Sequence, residues 1–285
     1  MMLKFAANLS LLYTEVPFLE RYAQAAEDGF RGVECLFPYD EEAHAIARQL
    51  QDHGLQQVLI NAPPGVAAAG EKGLACLPGR QTECLDGVKK AIDYALILGV
   101  PRIHVMAGIV RDRGAYAAAQ EQYLDTLSKA ASLLQGAGLD LMIEPINPID
   151  MPGYFLSGQA QARDVLAQVN MDNLRIQMDL YHCQRTEGDV TRQLAESIGA
   201  GLVGHMQIAG APDRHEPDTG ELNYSYVFTQ LEALGYDGWI GCEYRPAHGT
   251  REGLGWLQRY RSAAAAAAQP AAAGQRQNIY RTRNE

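Results

Sequence analysis

No stretch of this chain stays apolar for the roughly 18 residues that a membrane-spanning helix needs, and the amino terminus lacks the basic-then-apolar form of a secretory signal. A membrane partner is therefore not expected. Disulfide staples are not expected either. The five cysteines, at positions 35, 76, 84, 183 and 242, are odd in number and show no C-x-x-C spacing, which reads as reduced thiols in a cytoplasmic protein. Cationic charge is scarce: 24 Lys+Arg stand against 34 Asp+Glu for a net charge of −10, so phosphate backbones are repelled and nucleic acid is not the expected partner. No glycine-rich phosphate loop follows the first apolar run, which removes the main mark of a dinucleotide-binding sheet. What the 285 residues do have is 47% hydrophobic against 20% charged side chains, enough to bury a large core in one large domain.

Short β-rich runs alternate with helical stretches along the body. The runs begin near Leu3, Gly32, Leu55, Arg102, Leu139, Leu174, Leu202 and Gly238, and include GVECLF, RIHVMAG, LDLMIEP and LVGHMQIA. Between them lie good helix formers at helical spacing, among them Phe18 to Glu27, Glu83 to Leu98, Ala117 to Leu134 and Tyr226 to Leu234. Gly29, Gly54, Gly99, Gly138 and Gly235 suit helix stops. Eight strand signals separated by helices, roughly 30–35 residues apart, predict eight parallel βα units and a closed (β/α)8 barrel. The barrel domain is expected over 1–261. From 262 to 285 the chain reads SAAAAAAQPAAAGQRQNIYRTRNE, in which Pro270 and Gly274 interrupt the alanines and nothing alternates apolar with polar. With three arginines against Glu285 this tail carries +2, leaving −12 for the body, and it reads as a poorly ordered extension without catalytic content.

In such a barrel the chemistry belongs at the carboxyl ends of the strands. The fifth strand ends at Glu144, the sixth at Asp179 and the eighth at Glu243, while the seventh reaches Gln207. Three carboxylates and an amide thus stand at equivalent heights on four adjacent strands. Burying the carboxylates together requires either a cation or protons. An all-oxygen set without cysteine favours Mg²⁺ or Mn²⁺ over zinc. His205, two residues before Gln207, points to the same face one layer deeper. It and His104 read as satisfied core histidines, and Glu34 as the partner of an arginine.

These residues sit in longer strings, FAANLSLLY, GFRGVECLFPYD, IEPINPIDMPGYFL, IQMDLYHCQRTEGD, GHMQIAGAPDRHEPDTGELNY and DGWIGCEYRP. On them the chain resembles the hydroxypyruvate isomerase family, within the wider xylose-isomerase-like TIM barrels, from about Leu3 to Tyr260. The resemblance implies that Glu144 and Glu243 do the acid–base work. It also implies that those glutamates, with Asp179 and Gln207, hold a divalent metal that not every such isomerase needs. His182, from an Asp-x-x-His pattern, and Arg214 are implied as substrate contacts. Two departures bear on the substrate. Family members commonly have Asp-Trp where this chain has Val66 and Ala67, and glycine where Asp218 stands, in loops expected to cover the substrate.

An α-hydroxy aldehyde and an α-hydroxy ketone interconvert by moving a proton between neighbouring carbons through an enediolate, which needs a base, an acid and a stabiliser of the developing charge. The expected reaction is hydroxypyruvate to tartronate semialdehyde, a small anionic hydroxy-oxo acid substrate. Arg214 either clamps its carboxylate or pairs with Asp213 or Glu216, and Lys72 and Arg80 are weaker clamps. A 2-oxo-tetronate isomerase or a ketose 3-epimerase is the alternative on the same barrel. A metal-dependent nuclease and a non-catalytic barrel fit less well, and a homo-oligomer is compatible with the outer helices.

Overall fold

The computed structural model describes residues 2–268, with the side chains of Ala67 and of 263–268 excepted. Eight parallel strands close into one barrel in sequence order, β1 (Lys4–Asn8), β2 (Gly32–Cys35), β3 (Gln56–Asn61), β4 (Arg102–His104), β5 (Asp140–Ile143), β6 (Leu174–Asp179), β7 (Val203–Ile208) and β8 (Trp239–Cys242). Closure is made by β1 against β8, with Phe5 opposite Ile240 and Ala6 opposite Gly241. All eight expected strands are therefore present. The helices are α1 (Arg21–Glu27), α2 (Ala43–His53), α3 (Gln81–Leu98), α4 (Tyr116–Gly136), α5 (Gln159–Val169), α6 (Leu180–Thr186), α7 (Val190–Gly199), α8 (Tyr224–Ala233), α9 (Thr250–Gly253) and α10 (Gly255–Ala268). The anticipated stop glycines all take positive φ, as at Gly54 (61°) and Gly99 (67°), where a Cβ would be strained and glycine is not.

The core lies between the barrel and its helices. Phe5 of β1 packs edge-on against Phe228, Trp256 and Tyr260 at 5.2–5.3 Å, and the Tyr260 hydroxyl accepts the Leu3 N–H at 2.9 Å. This pins α10 across the first strand. The helix crosses the expected boundary at 261/262 and runs to Ala268; the rest of the tail, 269–285, lies outside the described residues. Inside the barrel, Ala6, Val58, Leu59 and Met142 form a small apolar cluster. Asn8 and Glu144 lie two residues further along from Ala6 and Met142, so strand alternation turns them to the same face one layer nearer the carboxyl end.

That next layer is polar. Glu34, fully buried on β2, accepts from Asn8 Nδ2 at 2.9 Å and Gln207 Nε2 at 2.8 Å, and lies 2.6 Å from His205 Nε2. The expected arginine partner is not there: two other strands of the closed barrel, β1 and β7, supply the partners instead. The Glu34 carboxylate rests against Gly241, where a Cβ would collide with both its oxygens. Gly241→Ala is expected to cost about 1–3 kcal/mol of stability through overpacking. Thermal unfolding checks this, and an unchanged melting temperature would show that the layer relaxes freely.

Candidate active site

Two of the three carboxylates, Glu144 and Glu243, open onto one cavity of about 1210 Å³ at the carboxyl end of the barrel, whose wall also includes His182, Arg214 and Lys72; Asp179 is fully buried beside them. Glu144 and Glu243 stand one residue beyond β5 and β8, and Asp179 is the last residue of β6. The loops on this side are stitched to one another by isolated bridges, Gly73 to Ala107 and Ile109 to Tyr154. Gly73 has φ 103°, and a Cβ there would strike the Met106 backbone, so only glycine lets the segment carrying Lys72 pack over β4.

Asp179 and His182 come together for a local reason. Asp179 is the N-cap of α6 and accepts the Tyr181 N–H at 2.8 Å. A residue three positions on lies over the cap, and His182 Nε2 stands 3.7 Å from Asp179 Oδ2 and 3.8 Å from Glu144 Oε1. The tautomer follows from the other ring nitrogen. Asn147 Oδ1 accepts from Ile149 and Asp150 N–H, which fixes its amide, so Asn147 Nδ2 donates to Asp150 and lies 2.6 Å from His182 Nδ1. Nδ1 is thus the acceptor, and the proton sits on Nε2, aimed at the carboxylates. Although Glu144, Asp179 and His182 are close enough to form a metal cluster, this tautomer makes His182 a hydrogen-bond donor there. Burial, aided by Arg214 and Arg185, holds the His182 pKa well below the usual histidine range.

Arg214 takes neither local partner anticipated for it. Its Nη2 donates to Glu243 Oε2 at 2.9 Å and lies 3.5 Å from Asp179 Oδ2, while the guanidinium stacks on Tyr181 at 5.1 Å. It does so from a left-handed backbone, φ 58°, which costs a non-glycine residue on the order of 1 kcal/mol. Glu216 instead receives the Ala247 N–H. Arg80 is drawn away from the substrate space by Glu71 and Glu83 at 2.8 and 2.7 Å. Asp218 pairs with Arg259, and neither Asp218 nor Val66 is among the residues that line the cavity.

Electrostatics separates the acids. Burial pushes Glu144 well above its ordinary value, and the Glu243 and Asp179 charges push it further. Burial lifts Glu243 to about 8 even though Arg214 pulls the other way. Asp179 is also raised by burial, against Arg214 and the backbone N–H groups of Tyr181 and His182. Burial likewise would depress Arg214, but Glu243, Asp179 and Glu144 together hold it up. Three carboxylates face one guanidinium, a deficit of two charges, and Glu144 Oε1 and Asp179 Oδ2 are buried without a hydrogen-bond partner. Two protons or one divalent cation balance that deficit, so the residues fit a hard cation. Gln207 is engaged at both ends of its amide, donating to Glu34 and accepting from Gln177 Nε2 at 2.7 Å; one carbonyl lone pair remains.

Sequence reasoning missed Asn147, Asp150 and Tyr181. The Asn-Pro step in IEPINPID, a turn signal beside Glu144, marked the first two. His104 was misread: it is wholly buried, yet neither ring nitrogen has a partner.

A parallel eight-stranded barrel with paired acids at its carboxyl mouth defines a class, and the chain belongs to it: it is a member of the xylose isomerase-like TIM barrel family, whose pattern matches residues 22–260. Within that class it is similar to the 2-oxo-tetronate isomerase of Cupriavidus necator, 51% identical over 90% of this chain and 98% of that protein. The hydroxypyruvate isomerase of Escherichia coli is 44% identical over 91% and 100% of the two chains. Among solved structures, one from Brucella melitensis described as an AP endonuclease of family 2 superposes with a TM-score of 0.87 at 49% identity, covering 91% of this chain and 99% of the other.

Proposed function

We propose that this protein is an isomerase of small hydroxy-oxo acids, moving a carbonyl to the neighbouring carbon as in the conversion of hydroxypyruvate to tartronate semialdehyde. The observation that carries this is the pair Glu144 and Glu243 on one cavity, with raised and unequal proton affinities and a guanidinium between Glu243 and Asp179. Glu243, held by Arg214, is the carboxyl better able to carry charge, so it serves as the base that takes the carbinol C–H proton. The electron pair then forms the enediolate, and the hydroxyl proton passes from the carbinol oxygen to the former ketone oxygen. Glu144, with no cation at hydrogen-bonding distance, keeps its proton and delivers it to the former ketone carbon. The His182 Nε2–H lies where it can donate to an enediolate oxygen. Arg214 has donors to spare for the substrate carboxylate, and Lys72 stands on the same wall. Mg²⁺ or Mn²⁺, held by Glu144, Asp179 and Glu243 with the free lone pair of Gln207, would add electrostatic stabilisation of the enediolate.

A second reading, the same shift on 2-oxo-tetronate, is favoured by the similarity to the Cupriavidus necator isomerase, and the cavity admits it. At about 30 Å³ per heavy atom, a generous figure from liquid water, a four-carbon oxo-acid fills no more than about 270 Å³, well short of the 1210 Å³ available. The net charge of −10 does not support an endonuclease role. Five buried free cysteines support a reducing, cytoplasmic setting, and exposed Leu96 and Ile97 on α3 support a homo-oligomer.

Proton NMR in D₂O tests the reading. Conversion of hydroxypyruvate or 2-oxo-tetronate with deuterium placed on the former ketone carbon supports it; no conversion of either, with or without EDTA, Mg²⁺ or Mn²⁺, overturns it. The cavity mouth adds a prediction. Lys72, Arg111, Arg113 and Arg245 line it and form no ion pair among the described residues, so they draw in an anion despite the acidic body. Accordingly kcat/KM is expected to fall several-fold as ionic strength rises from about 0.01 to about 0.15 M, with kcat unchanged. A kcat/KM insensitive to salt removes the steering role.

A further inference from the structure

We infer that His104 is a positioning residue of this site, holding the Glu144 carboxylate in its working orientation as a hydrogen-bond donor from the layer beneath. The inference rests on the reading of Glu144 as an acid–base residue. It starts from an asymmetry among the three acids. Glu243 is anchored by Arg214 at 2.9 Å and Asp179 by the Tyr181 N–H at 2.8 Å. Glu144 has no side-chain hydrogen bond to any described residue, and a carboxylate that must deliver a proton to one carbon cannot be left free to rotate.

The group placed to anchor it is His104. On β4 it pairs in register with Met142 of β5, and Glu144, two residues past Met142, projects from the same face one layer higher. His104 Nδ1 stands 3.6 Å from Glu144 Oε2, a few tenths of an ångström beyond a hydrogen bond, the kind of gap that closes when substrate fills an active site. The other oxygen, Oε1, is buried without a partner and faces His182 at 3.8 Å, so the two histidines flank the two carboxylate oxygens. Glu144 is part of the cavity wall and His104 is not among the residues that line it, so His104 acts through Glu144.

Both ring nitrogens of His104 are buried and unpartnered, so each has given up its hydration with nothing in return. Nearly all buried polar groups find partners, so a core position alone would have been better filled by an apolar side chain.

The test compares His104→Phe, which keeps a ring and loses the donor, with His104→Asn, which keeps a donor near the Nδ1 position. The Phe variant is expected to keep or raise the melting temperature, because two orphaned polar atoms are gone. Its kcat is expected to fall about 10–100-fold while KM stays nearly constant. His104→Asn recovers most of the lost kcat. Titration with Mn²⁺ alone, followed by electron paramagnetic resonance, supplies a readout independent of turnover, with affinity about tenfold weaker in the Phe variant. His104→Met carries the same expectations, so a folding failure of one donor-free variant leaves the test standing. Wild-type kcat and Mn²⁺ affinity in a stabilised Phe or Met variant would overturn the inference. If the wild type converts neither acid, it is the proposed function that fails, and the Mn²⁺ titration still decides His104.

Discussion

Replacing Glu144 with Gln is expected to abolish isomerisation while leaving exchange of the carbinol C–H with D₂O in place. Glu243→Gln is expected to abolish both. The difference follows from the neighbours of the two carboxyls. Arg214 donates to Glu243 and supports its charge, whereas at Glu144 burial and the Glu243 and Asp179 charges outweigh Arg214, so it holds its proton. Removing the acid blocks proton delivery to the former ketone carbon and spares abstraction; removing the base stops the first step. Loss of one acid–base group costs about 10²–10⁴-fold in rate. Both substitutions remove a buried acid from a crowded set, so the melting temperature in EDTA should not fall, which separates loss of chemistry from loss of fold. Proton NMR reports exchange and conversion in one experiment. Full turnover by Glu144→Gln would break the assignment, and equal loss of exchange in the two variants would overturn the division of labour.

Without divalent metal, stability is expected to fall as pH rises from 6.5 to about 8, and Mn²⁺ or Mg²⁺ is expected to abolish that fall. Glu243, raised from 4.5 to about 8, keeps in the folded chain a proton that the unfolded chain has released. Between those values the folded state binds more protons, so the stability this provides is full below pH 4.5 and lost as pH rises through about 8. His104 works the other way. Its pKa is lowered from 6.5 to about 3, so its contribution is full above pH 6.5 and lost as pH falls toward 3. Above 6.5 His104 no longer contributes a slope and Glu243 acts unopposed, with Glu144 adding in the same direction. At about 1.4 kcal/mol per pH unit for one proton, the loss from Glu243 is on the order of 2 kcal/mol, several degrees in melting temperature for a chain of this size. A bound cation replaces the protons and reverses the dependence. A melting temperature in EDTA that is flat or rises over this interval would mean that the carboxylates are not protonated in the folded state.

Much of the site could be read from the sequence because it is carried by periodicity. Each of Glu144, Asp179 and Glu243 follows an apolar run at the end of a strand, and a barrel brings all such ends to one rim. The Asp179–His182 pair needs only one helical turn. Partner choice was not legible. Arg214 was weighed against its sequence neighbours Asp213 and Glu216, yet it pairs with Glu243, 29 residues away. Glu34 was given an arginine, yet it joins His205, 171 residues away, as well as Gln207 and Asn8. His104 passed for a satisfied core residue because strand position reveals that a side chain points inward, and nothing about what it meets there.

The sequence by itself determined the eight βα units, their punctuation by glycines and the height at which the three carboxylates emerge, since these depend on backbone preference and on the spacing of apolar residues along one strand or helix. Only the tertiary structure decided which charges neutralise one another, which nitrogen of His182 carries its proton and which buried groups are left without partners. Those outcomes depend on contacts between strands far apart in the chain. Closing the barrel fixes these contacts all at once, and in a site shielded from water they set the proton affinities on which the chemistry depends.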